Sequence, residues 1–307
     1  MRIYEYGKDP LPNSGCALAI GVFDGVHIAH RTLIMRAKEE AASDMLPVGV
    51  FTFSPKSGIK AGSACIYTLE KRLSVIESLG VDFCVVASFE DIRGMSAENF
   101  CRDILFNALA ARICVVGYNF HFGKGASADA DFLKATMTGY GAKTLICPEE
   151  CLDGESISST AIRRYLEAGN IARATAMLGD RYSIEGCVQH GRGIGGKRLS
   201  APTANLPLPE NTLVPRLGVY ATTAEIDGAI YSAATDLGVC PTYGEMLPHA
   251  EAYIIGYSGN LYGKKIKLSF LAFLREERHF DNEESLKKQI KIDIDRTIEE
   301  FKRQNEQ

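Results

Sequence analysis

Residues 16–34 read CALAIGVFDGVHIAHRTLI, and the change of pattern within this stretch decides the fold class. Its first half is nearly continuous in apolar side chains, as in a strand that is buried on both faces of a sheet. A short loop with Asp24 and His27 follows, and the chain then enters a helix with His30 near its start. A buried strand that leads through a loop into a helix is the repeating unit of a parallel α/β sheet.

The same unit recurs through the first half of the chain. Further apolar runs follow at 46–53, 81–89, 111–120 and 142–148. Amphipathic segments lie between them, with Thr68 and Ser96 as suitable N-caps for two helices. Five strands that alternate with helices predict a doubly wound parallel sheet, which binds ligands at the carboxyl ends of its strands.

The second half has a different pattern. Helical segments at 159–168 and 170–178 end at Gly179, and short strands follow, with Asp227-Gly228 as a hairpin turn. This pattern predicts a small antiparallel β-barrel or sandwich. The boundary is expected near residue 180, which gives domains 1–180 and 181–307.

The C-terminal segment predicts a helix capped by Asp281 and Glu284. Its apolar residues recur at helical spacing and form one stripe: Leu286, Ile290, Ile294, Ile298 and Phe301. We expect this helix to pack on the barrel.

Composition excludes several function classes. The formal net charge of the 307 residues is -4, which argues against a nucleic-acid binder. No apolar run approaches the ~20 residues of a membrane span, and the N-terminus lacks the apolar core of a signal peptide. The nine cysteines include no C-x-x-C pair, so we expect buried thiols in a reducing compartment rather than a zinc site. The expected location is the cytoplasm.

Two clusters in the first half suit phosphate chemistry. His27 and His30 lie three residues apart at a helix start, where both could face a phosphate; a metal pair or ordinary surface histidines are the alternatives. Hydroxyl residues at 158–160, with Arg163 one turn further on, could likewise bind the phosphates of a nucleotide or simply cap a helix.

Residues 191–205, GRGIGGKRLSAPTAN, partly match two phosphate-binding patterns. Both patterns require a helix to follow, and Pro202, Pro207 and Pro209 exclude one here. A Gly-rich loop after a strand is therefore the better interpretation, and PTAN taken alone would be a turn.

Motifs in both halves resemble one family. GVFDGVHIAH, GYNFHFGKGASAD and ISSTAIR, in this order, resemble the adenylyltransferase module of the prokaryotic bifunctional riboflavin kinase/FAD synthetase family. PTAN, LGVY, NLYGK and LREERHFDNEESLKKQI are similar to its riboflavin kinase module. The resemblance covers about residues 16–300 and implies a Rossmann-like nucleotidyltransferase domain followed by a riboflavin kinase β-barrel. It also implies phosphorylation of riboflavin to FMN and adenylylation of FMN to FAD, with ATP and Mg²⁺.

The resemblance assigns roles in the first half. His27 and His30 would be catalytic. The residues implied to bind nucleotide or phosphate are Phe23, Asp24, Ser158, Ser159, Thr160 and Arg163. Asn119, Phe120 and Phe122 would lie on the flavin side, although aromatic residues at a strand end could equally belong to the core.

The resemblance also assigns roles in the second half. Gly191, Gly193 and Lys197 would belong to a loop that closes over ATP. Thr203 and Asn205 would hold Mg²⁺ and the nucleotide phosphates, as oxygen ligands that magnesium prefers. Glu251 would be the catalytic base, and Arg275 would contact the flavin.

The chain departs from the family pattern at several positions. Ala29 stands where the family has glycine between the histidines, Ser54 and Lys56 replace an acid and a histidine, and Asp236 replaces a common asparagine. These departures leave two alternatives: a riboflavin kinase whose first domain has lost adenylyl transfer, and a flavin or nucleotide sensor without turnover.

Overall fold

The computed structural model describes residues 1–54, 64–189, 203–242 and 245–305. The chain divides into two compact units, Met1–Ser159 and Thr160–Gln307. In the part of the chain that is described, no helix has the length and apolar composition needed to cross a membrane.

The first unit is built on a six-stranded parallel sheet with strand order β1-β4-β3-β2-β5-β8. Its strands are β1 Arg2–Glu5, β2 Cys16–Ile20, β3 Val48–Phe53, β4 Phe83–Ala87, β5 Ala111–Gly117 and β8 Lys143–Cys147. The five predicted strands and the parallel sheet are confirmed. The sixth strand, β1, was not predicted; it pairs with β4 at the sheet edge.

Both faces of this sheet are covered, which explains the continuous apolar runs. In β2, Leu18 and Ile20 pack into one core, while Ala17 and Ala19 pack into the other. Buried Cys84 and Cys114 are part of these cores, and burial raises the pKa of the Cys84 thiol to about 12. These thiols act as small apolar side chains, as expected.

The helices of this unit are α1 Ile28–Ala42, α2 Leu69–Ser78, α3 Phe89–Ile92, α4 Ala97–Asn99, which continues as the π-helix Phe100–Ala108, and α5 Ala130–Gly139. Both predicted N-caps are confirmed: Thr68 accepts from the amide of Lys71, and Ser96 from that of Asn99, each over 3.2 Å. Short pairs complete the unit: β6 His121–Phe122 with β7 Ala128–Asp129, and β9 Cys151–Leu152 with β10 Glu155–Ser156. A 3₁₀ turn spans Lys124–Ala126.

The next helices are α6 Ser159–Glu167, which lies in the second unit from Thr160 onward, and α7 Ile171–Leu178. α7 ends at Gly179, as predicted, and Gly179 has the left-handed conformation. The strands of the second unit are β11 Ser183–Cys187, β12 Thr203–Pro207, β13 Gly218–Ile226, β14 Ala229–Thr242, β15 Glu245–Ile254 and β16 Lys265–Arg275. They form one antiparallel sheet of order β11-β16-β13-β14-β15-β12, and a bridge from Gln189 to Asn205 nearly closes the barrel. The predicted antiparallel barrel is confirmed.

Two local predictions for this unit are corrected. The turn considered for PTAN is wrong from Thr203 onward, because this segment pairs with β15 as a strand. The terminal helix, α8 Glu283–Asn305, is capped by Asn282 rather than by Asp281, since the Asn282 carboxamide oxygen accepts from the amide of Ser285 over 2.8 Å.

The buried face of α8 is more polar than its apolar stripe suggests. The five stripe residues are only half-buried, whereas Asp293 and Thr297 are 3% and 0% exposed. The helix packs against β13, β14 and β16, as expected. Asp293 is the ion-pair partner of Arg275 on β16, which explains why a carboxylate lies in this interface.

Candidate active sites

The loop after β2 is held in a strained conformation at the carboxyl edge of the parallel sheet. Phe23 and Val26 have φ angles of 54° and 42°, in the left-handed region that side chains other than glycine rarely adopt. Both side chains are fully buried, so core packing holds the backbone in place. Strain of this kind is typical of loops that receive a ligand.

Asp24 organises this loop from within. Its carboxylate is 2% exposed and accepts hydrogen bonds from the amides of Ile66, at 3.0 Å, and Tyr67. Its carbonyl oxygen accepts from the Ser159 hydroxyl over 2.8 Å. Asp24 therefore joins the loop to the ISST run, which brings two of the motifs named above together.

The two histidines lie at the start of α1. His27 is the N-cap, and its Nδ1 accepts from the amide of His30 over 3.4 Å. The two rings are stacked, with centroids 3.6 Å apart. Burial lowers the pKa of His27 to about 4, and burial, His27 and the charge of Arg72 together hold the pKa of His30 well below its usual value.

Both rings are therefore neutral near pH 7 and can donate N–H hydrogen bonds to a phosphate without changing charge. The described residues contain no cluster of three or more His, Cys, Asp or Glu side chains suited to a metal.

The remaining phosphate candidates lie on one segment. Ser158 directly precedes α6, whose first residues are Ser159 and Thr160, and Arg163 follows one turn later. The Ser158 and Ser159 side chains are half-buried, while Thr160 is exposed.

The candidate flavin loop divides into a core part and a surface part. Phe122 is buried and packs on Phe100 and Phe132, so it belongs to the core. Phe120 stacks on Phe122 with centroids 5.3 Å apart and is only half-buried. Asn119 is exposed. A flat ligand could therefore meet Phe120 and Asn119, with Phe122 as support beneath them.

A buried cation in this region was missed by sequence reasoning. Arg72, on α2, is fully buried, and its Nη1 donates to the carbonyl oxygens of Val22 and Phe53, each over 2.8 Å. The available signal was its position four residues before Ile76, on the apolar face of the helix. In the sequence it reads instead as part of an exposed Glu-Lys-Arg run.

The second site lies on neighbouring strands of the barrel. Asn205 on β12 pairs with Glu251 on β15, and Glu251 pairs with Asp236 on β14. Paired residues project from the same face of a sheet, and so does Thr203, two residues from Asn205. The Thr203 hydroxyl donates to Oε1 of Glu251 over 2.8 Å. The structure thus brings the predicted Thr203, Asn205 and Glu251 together and adds Asp236.

Asp236 is perturbed by its surroundings. Burial, followed by the charge of Glu277, raises its pKa to about 6, with Glu251 and Asp293 acting in the same direction and Arg275 against them. Its Oδ1 atom is buried without a hydrogen-bond partner. The sequence shows that an acid stands at this position, but not that Glu277, Glu251 and Asp293 act on it, because these residues lie on other segments of the chain.

Arg275 has a different environment from the one expected of a flavin contact. Its guanidinium donates to both carboxylate oxygens of Asp293, at 2.8–3.1 Å, and is 11% exposed. It also donates to the carbonyl oxygen of Glu276 over 2.9 Å. These contacts fix the end of β16 to α8.

The residues expected around ATP, Gly191, Gly193 and Lys197, lie outside the described residues.

The oxygen groups of the barrel site fit a hard cation. A hydroxyl that donates its hydrogen to Glu251 keeps its lone pairs, and the Asn205 carboxamide and the unpartnered Asp236 oxygen lie on the same face. Mg²⁺ prefers such oxygen ligands and usually takes the others from substrate phosphates and water.

Comparisons with known proteins agree with this division into two sites. A family model described as FAD synthetase matches residues 9–161, and one described as riboflavin kinase matches residues 178–301. The bifunctional riboflavin kinase/FMN adenylyltransferase of Pseudomonas fluorescens is 32% identical over 285 residues, 91% of each chain. The protein of the same description from Escherichia coli K12 is 33% identical over 298 residues, 94% of each chain.

A solved structure shares the architecture. A crystal structure described as a macrolide-efflux protein from Streptococcus pneumoniae superimposes with a TM-score of 0.86 at 28% identity, covering 97% of this chain and 99% of its own. The name macrolide-efflux protein describes the Streptococcus pneumoniae protein alone. The two family models and the long matches above 30% identity place the present chain in the bifunctional riboflavin kinase/FMN adenylyltransferase family.

Proposed function

We propose that this protein is an enzyme of flavin cofactor synthesis with two activities. Residues 181–307 phosphorylate riboflavin to FMN, and residues 1–180 adenylylate FMN to FAD, with one ATP consumed in each step. The observation that carries the proposal is the presence of two separate groups of polar residues. All of them except Arg163, two residues past the first match, lie within the segment matched by the corresponding family model.

In the kinase step, the terminal ribityl hydroxyl of riboflavin attacks the γ-phosphorus of ATP. A new O–P bond forms, the bond to the β-phosphate bridging oxygen breaks, and ADP leaves. Glu251 accepts the hydroxyl proton, as a base held by the hydrogen bond from Thr203. Thr203 and Asn205 would hold Mg²⁺, which shields the phosphate charges when bound.

In the adenylyl step, a phosphate oxygen of FMN attacks the α-phosphorus of ATP, and the bond to pyrophosphate breaks. Catalysis of this kind depends on positioning and on stabilisation of charge. His27 and His30 donate N–H hydrogen bonds to the phosphates at the positive end of α1. Ser158, Ser159, Thr160 and Arg163 bind further phosphate oxygens, and Phe23 and Asp24 hold the loop between them.

The flavin of FMN is placed against the exposed part of the 119–122 loop. Phe120 offers a partly open ring and Asn119 an exposed carboxamide, while Phe122 supports Phe120 from the core. In the kinase site, by contrast, Arg275 acts indirectly. Its ion pair with Asp293 fixes the end of β16 beside that site.

The departures from the family pattern favour one competing proposal, a kinase without adenylyl transfer. Ala29 lies in the first turn of α1 and between the two histidines in the sequence. It carries a methyl group where the family has glycine. Ser54 offers no charge where relatives carry an acid. Lys56, the third departure, lies outside the described residues.

The test is a time course of the purified protein with riboflavin, ATP and Mg²⁺, in which riboflavin, FMN and FAD are separated by chromatography. FMN that appears first and then converts to FAD supports both activities. FMN that accumulates even when FMN is supplied directly identifies a kinase alone. Tight flavin binding without any product identifies a sensor and contradicts the proposal.

A further inference from the structure

Arg72 makes use of only part of its hydrogen-bonding capacity. Besides the two carbonyl oxygens of Val22 and Phe53, Nη1 lies 3.3 Å from the Thr52 hydroxyl. Nε and Nη2 are buried and have no hydrogen-bond partner among the residues that the structure describes. A guanidinium stays charged in proteins and offers five N–H donors, so this is a buried cation with unused donors.

Its charge is also poorly balanced. No ion pair to Arg72 is formed within the described ranges. Burial lowers the pKa of Arg72, and the charge of Asp24 acts against this. The Asp24 carboxylate oxygens, however, accept from the amides of Ile66 and Tyr67. A buried charge without a hydrogen-bonded counter-ion is costly, and proteins that retain one commonly use it at a functional site.

The position of Arg72 suggests what the charge is for. Val22 lies two residues after the end of β2 and Phe53 ends β3, so the guanidinium lies at the carboxyl ends of two adjacent central strands. Val22 also opens the loop that leads through Asp24 to His27. The positive charge of Arg72 acts on His30, whose Nδ1 is likewise buried without a partner.

We infer that Arg72 is a positioning residue of the adenylyl-transfer site, whose buried positive charge attracts the phosphates of ATP through the Val22–Asp24 loop and His30. The side chain is fully buried and therefore acts by its field rather than by contact. The phosphates of the bound nucleotide add negative charge to that of Asp24, which forms no ion pair with Arg72 within the described ranges. This inference rests on the proposed adenylyl transfer.

A purely structural role is the competing explanation. The three contacts of Nη1 join the ends of β2 and β3, and a neutral donor could do the same. Arg72→Lys and Arg72→Gln form a matched pair, because both can donate to the Val22 and Phe53 carbonyl oxygens but only lysine keeps the charge. Arg102→Gln is the control, since Arg102 is a half-exposed cation of the same unit that pairs with Asp103.

The experiment measures FAD formation from FMN and ATP by the full chain, with adenosine, AMP and ADP as competitive inhibitors. We expect Arg72→Gln to weaken inhibition by ADP about tenfold, by AMP less, and by adenosine hardly at all. Arg72→Lys should keep the wild-type inhibition constants within about threefold, and Arg102→Gln should change none of them. The riboflavin kinase activity of the same samples checks the rest of the chain.

Three results of this experiment would overturn the inference. If Arg72→Gln weakens inhibition by adenosine and by ADP equally, the substitution has distorted the site rather than removed the electric field of the charge. An Arg72→Gln variant with wild-type inhibition by ADP would show that the charge has no role. If Arg72→Gln does not fold, loss of ADP inhibition in a folded Arg72→Lys variant would likewise contradict it.

A separate measurement covers the case in which the wild type forms no FAD. Inorganic pyrophosphate is then added to the full chain in a Thr203→Ala, Asn205→Ala background, which removes the proposed phosphate ligands of the barrel. The inference is supported if pyrophosphate raises the unfolding temperature of the Arg72→Lys variant but not that of the Arg72→Gln variant. This result would support the role of Arg72 even though the protein forms no FAD. The same rise in both variants overturns it.

Discussion

The Thr203 hydroxyl donates a hydrogen bond to Oε1 of Glu251 over 2.8 Å, from one antiparallel strand to its neighbour. Because strand pairing sets which residues face each other, the register of β12 and β15 holds the proposed base in place. Asn205 lies directly opposite Glu251, and Asp236 flanks it on the other side. The kinase site is therefore a row of polar residues across three strands.

The first prediction concerns the base. Glu251→Gln keeps the shape of the side chain and can still accept a hydrogen bond from Thr203, but it cannot take a proton. We expect FMN formation to fall by about 10²-fold or more, the usual range for loss of a general base. The measurement is the initial rate of FMN formation at saturating riboflavin and ATP. A loss of less than about threefold would remove Glu251 from this role.

The second prediction concerns acid stability of the first unit. The pKa of His27 is about 4 in the folded protein and near 6.5 when unfolded, so between these values only the unfolded state binds the proton. Stability is therefore full above about pH 6.5 and falls by up to about 3 kcal/mol as pH approaches 4. His27→Asn offers a side-chain oxygen as N-cap acceptor in place of Nδ1 and removes the titration of His27.

We expect His27→Asn to flatten this acid-side loss, measured by urea unfolding from pH 4.5 to 7.5 and followed by signals from the first unit. His121→Asn is the control, because His121 is exposed. An unchanged slope in His27→Asn would show that His27 is not held neutral by burial.

The third prediction concerns Asp236 and has the opposite sign. Its pKa in the folded protein, about 6, is above the 3.8 that is ordinary for an aspartate, so the folded state favours the protonated carboxyl group. Stability is then lost as pH rises from about 4 to 6. Asp236→Asn should stabilise the barrel by about 2 kcal/mol at pH 7.5 and by little at pH 4.

The measurement is the unfolding midpoint that coincides with loss of riboflavin kinase activity. Asp281→Asn, at an exposed position, should change it at neither pH. A destabilising Asp236→Asn at pH 7.5 would indicate that the charged carboxylate has a favourable partner.

The fourth prediction concerns the ion pair of Arg275 and Asp293. Asp293→Ala leaves a buried guanidinium unpaired and should cost about 3 kcal/mol of unfolding free energy. The double variant Arg275→Met, Asp293→Leu removes both charges and should cost less than Asp293→Ala alone. Lys287→Ala breaks only an exposed pair with Glu283 and should cost under about 1 kcal/mol. Equal costs for the single and double variants would exclude strong coupling.

The sequence predicts those parts of the fold that have strong local signals. The five buried strands stand out as apolar runs, and the caps Thr68 and Ser96 as polar residues before amphipathic segments. Edge strand β1 has no such run, because an edge strand with exposed residues needs little apolar surface. The cap at Asn282 could not be told from Asp281, since both are good caps within one residue of each other.

For the sites, motifs identified residues whose chemistry is local, such as His27 and Thr203. They could not identify residues whose role depends on burial. Arg72 looks like a surface cation in the sequence, but it is fully buried in the fold. Asp236 looks like a surface acid, but burial and the charges of Glu277 and Asp293 raise its pKa. For Arg275 the motif predicted a flavin contact, whereas the structure shows an ion pair with Asp293. The sequence could not show this pair, because Asp293 lies 18 residues away on another element.

The most direct test of two separate activities is a crossed assay of Glu251→Gln and His27→Asn, each supplied with riboflavin or with FMN. Our account predicts that Glu251→Gln forms no FMN from riboflavin but converts supplied FMN to FAD at the wild-type rate. It predicts that His27→Asn converts riboflavin to FMN and stops there. A variant that loses both reactions, or a His27→Asn protein that still forms FAD at the wild-type rate, would contradict it.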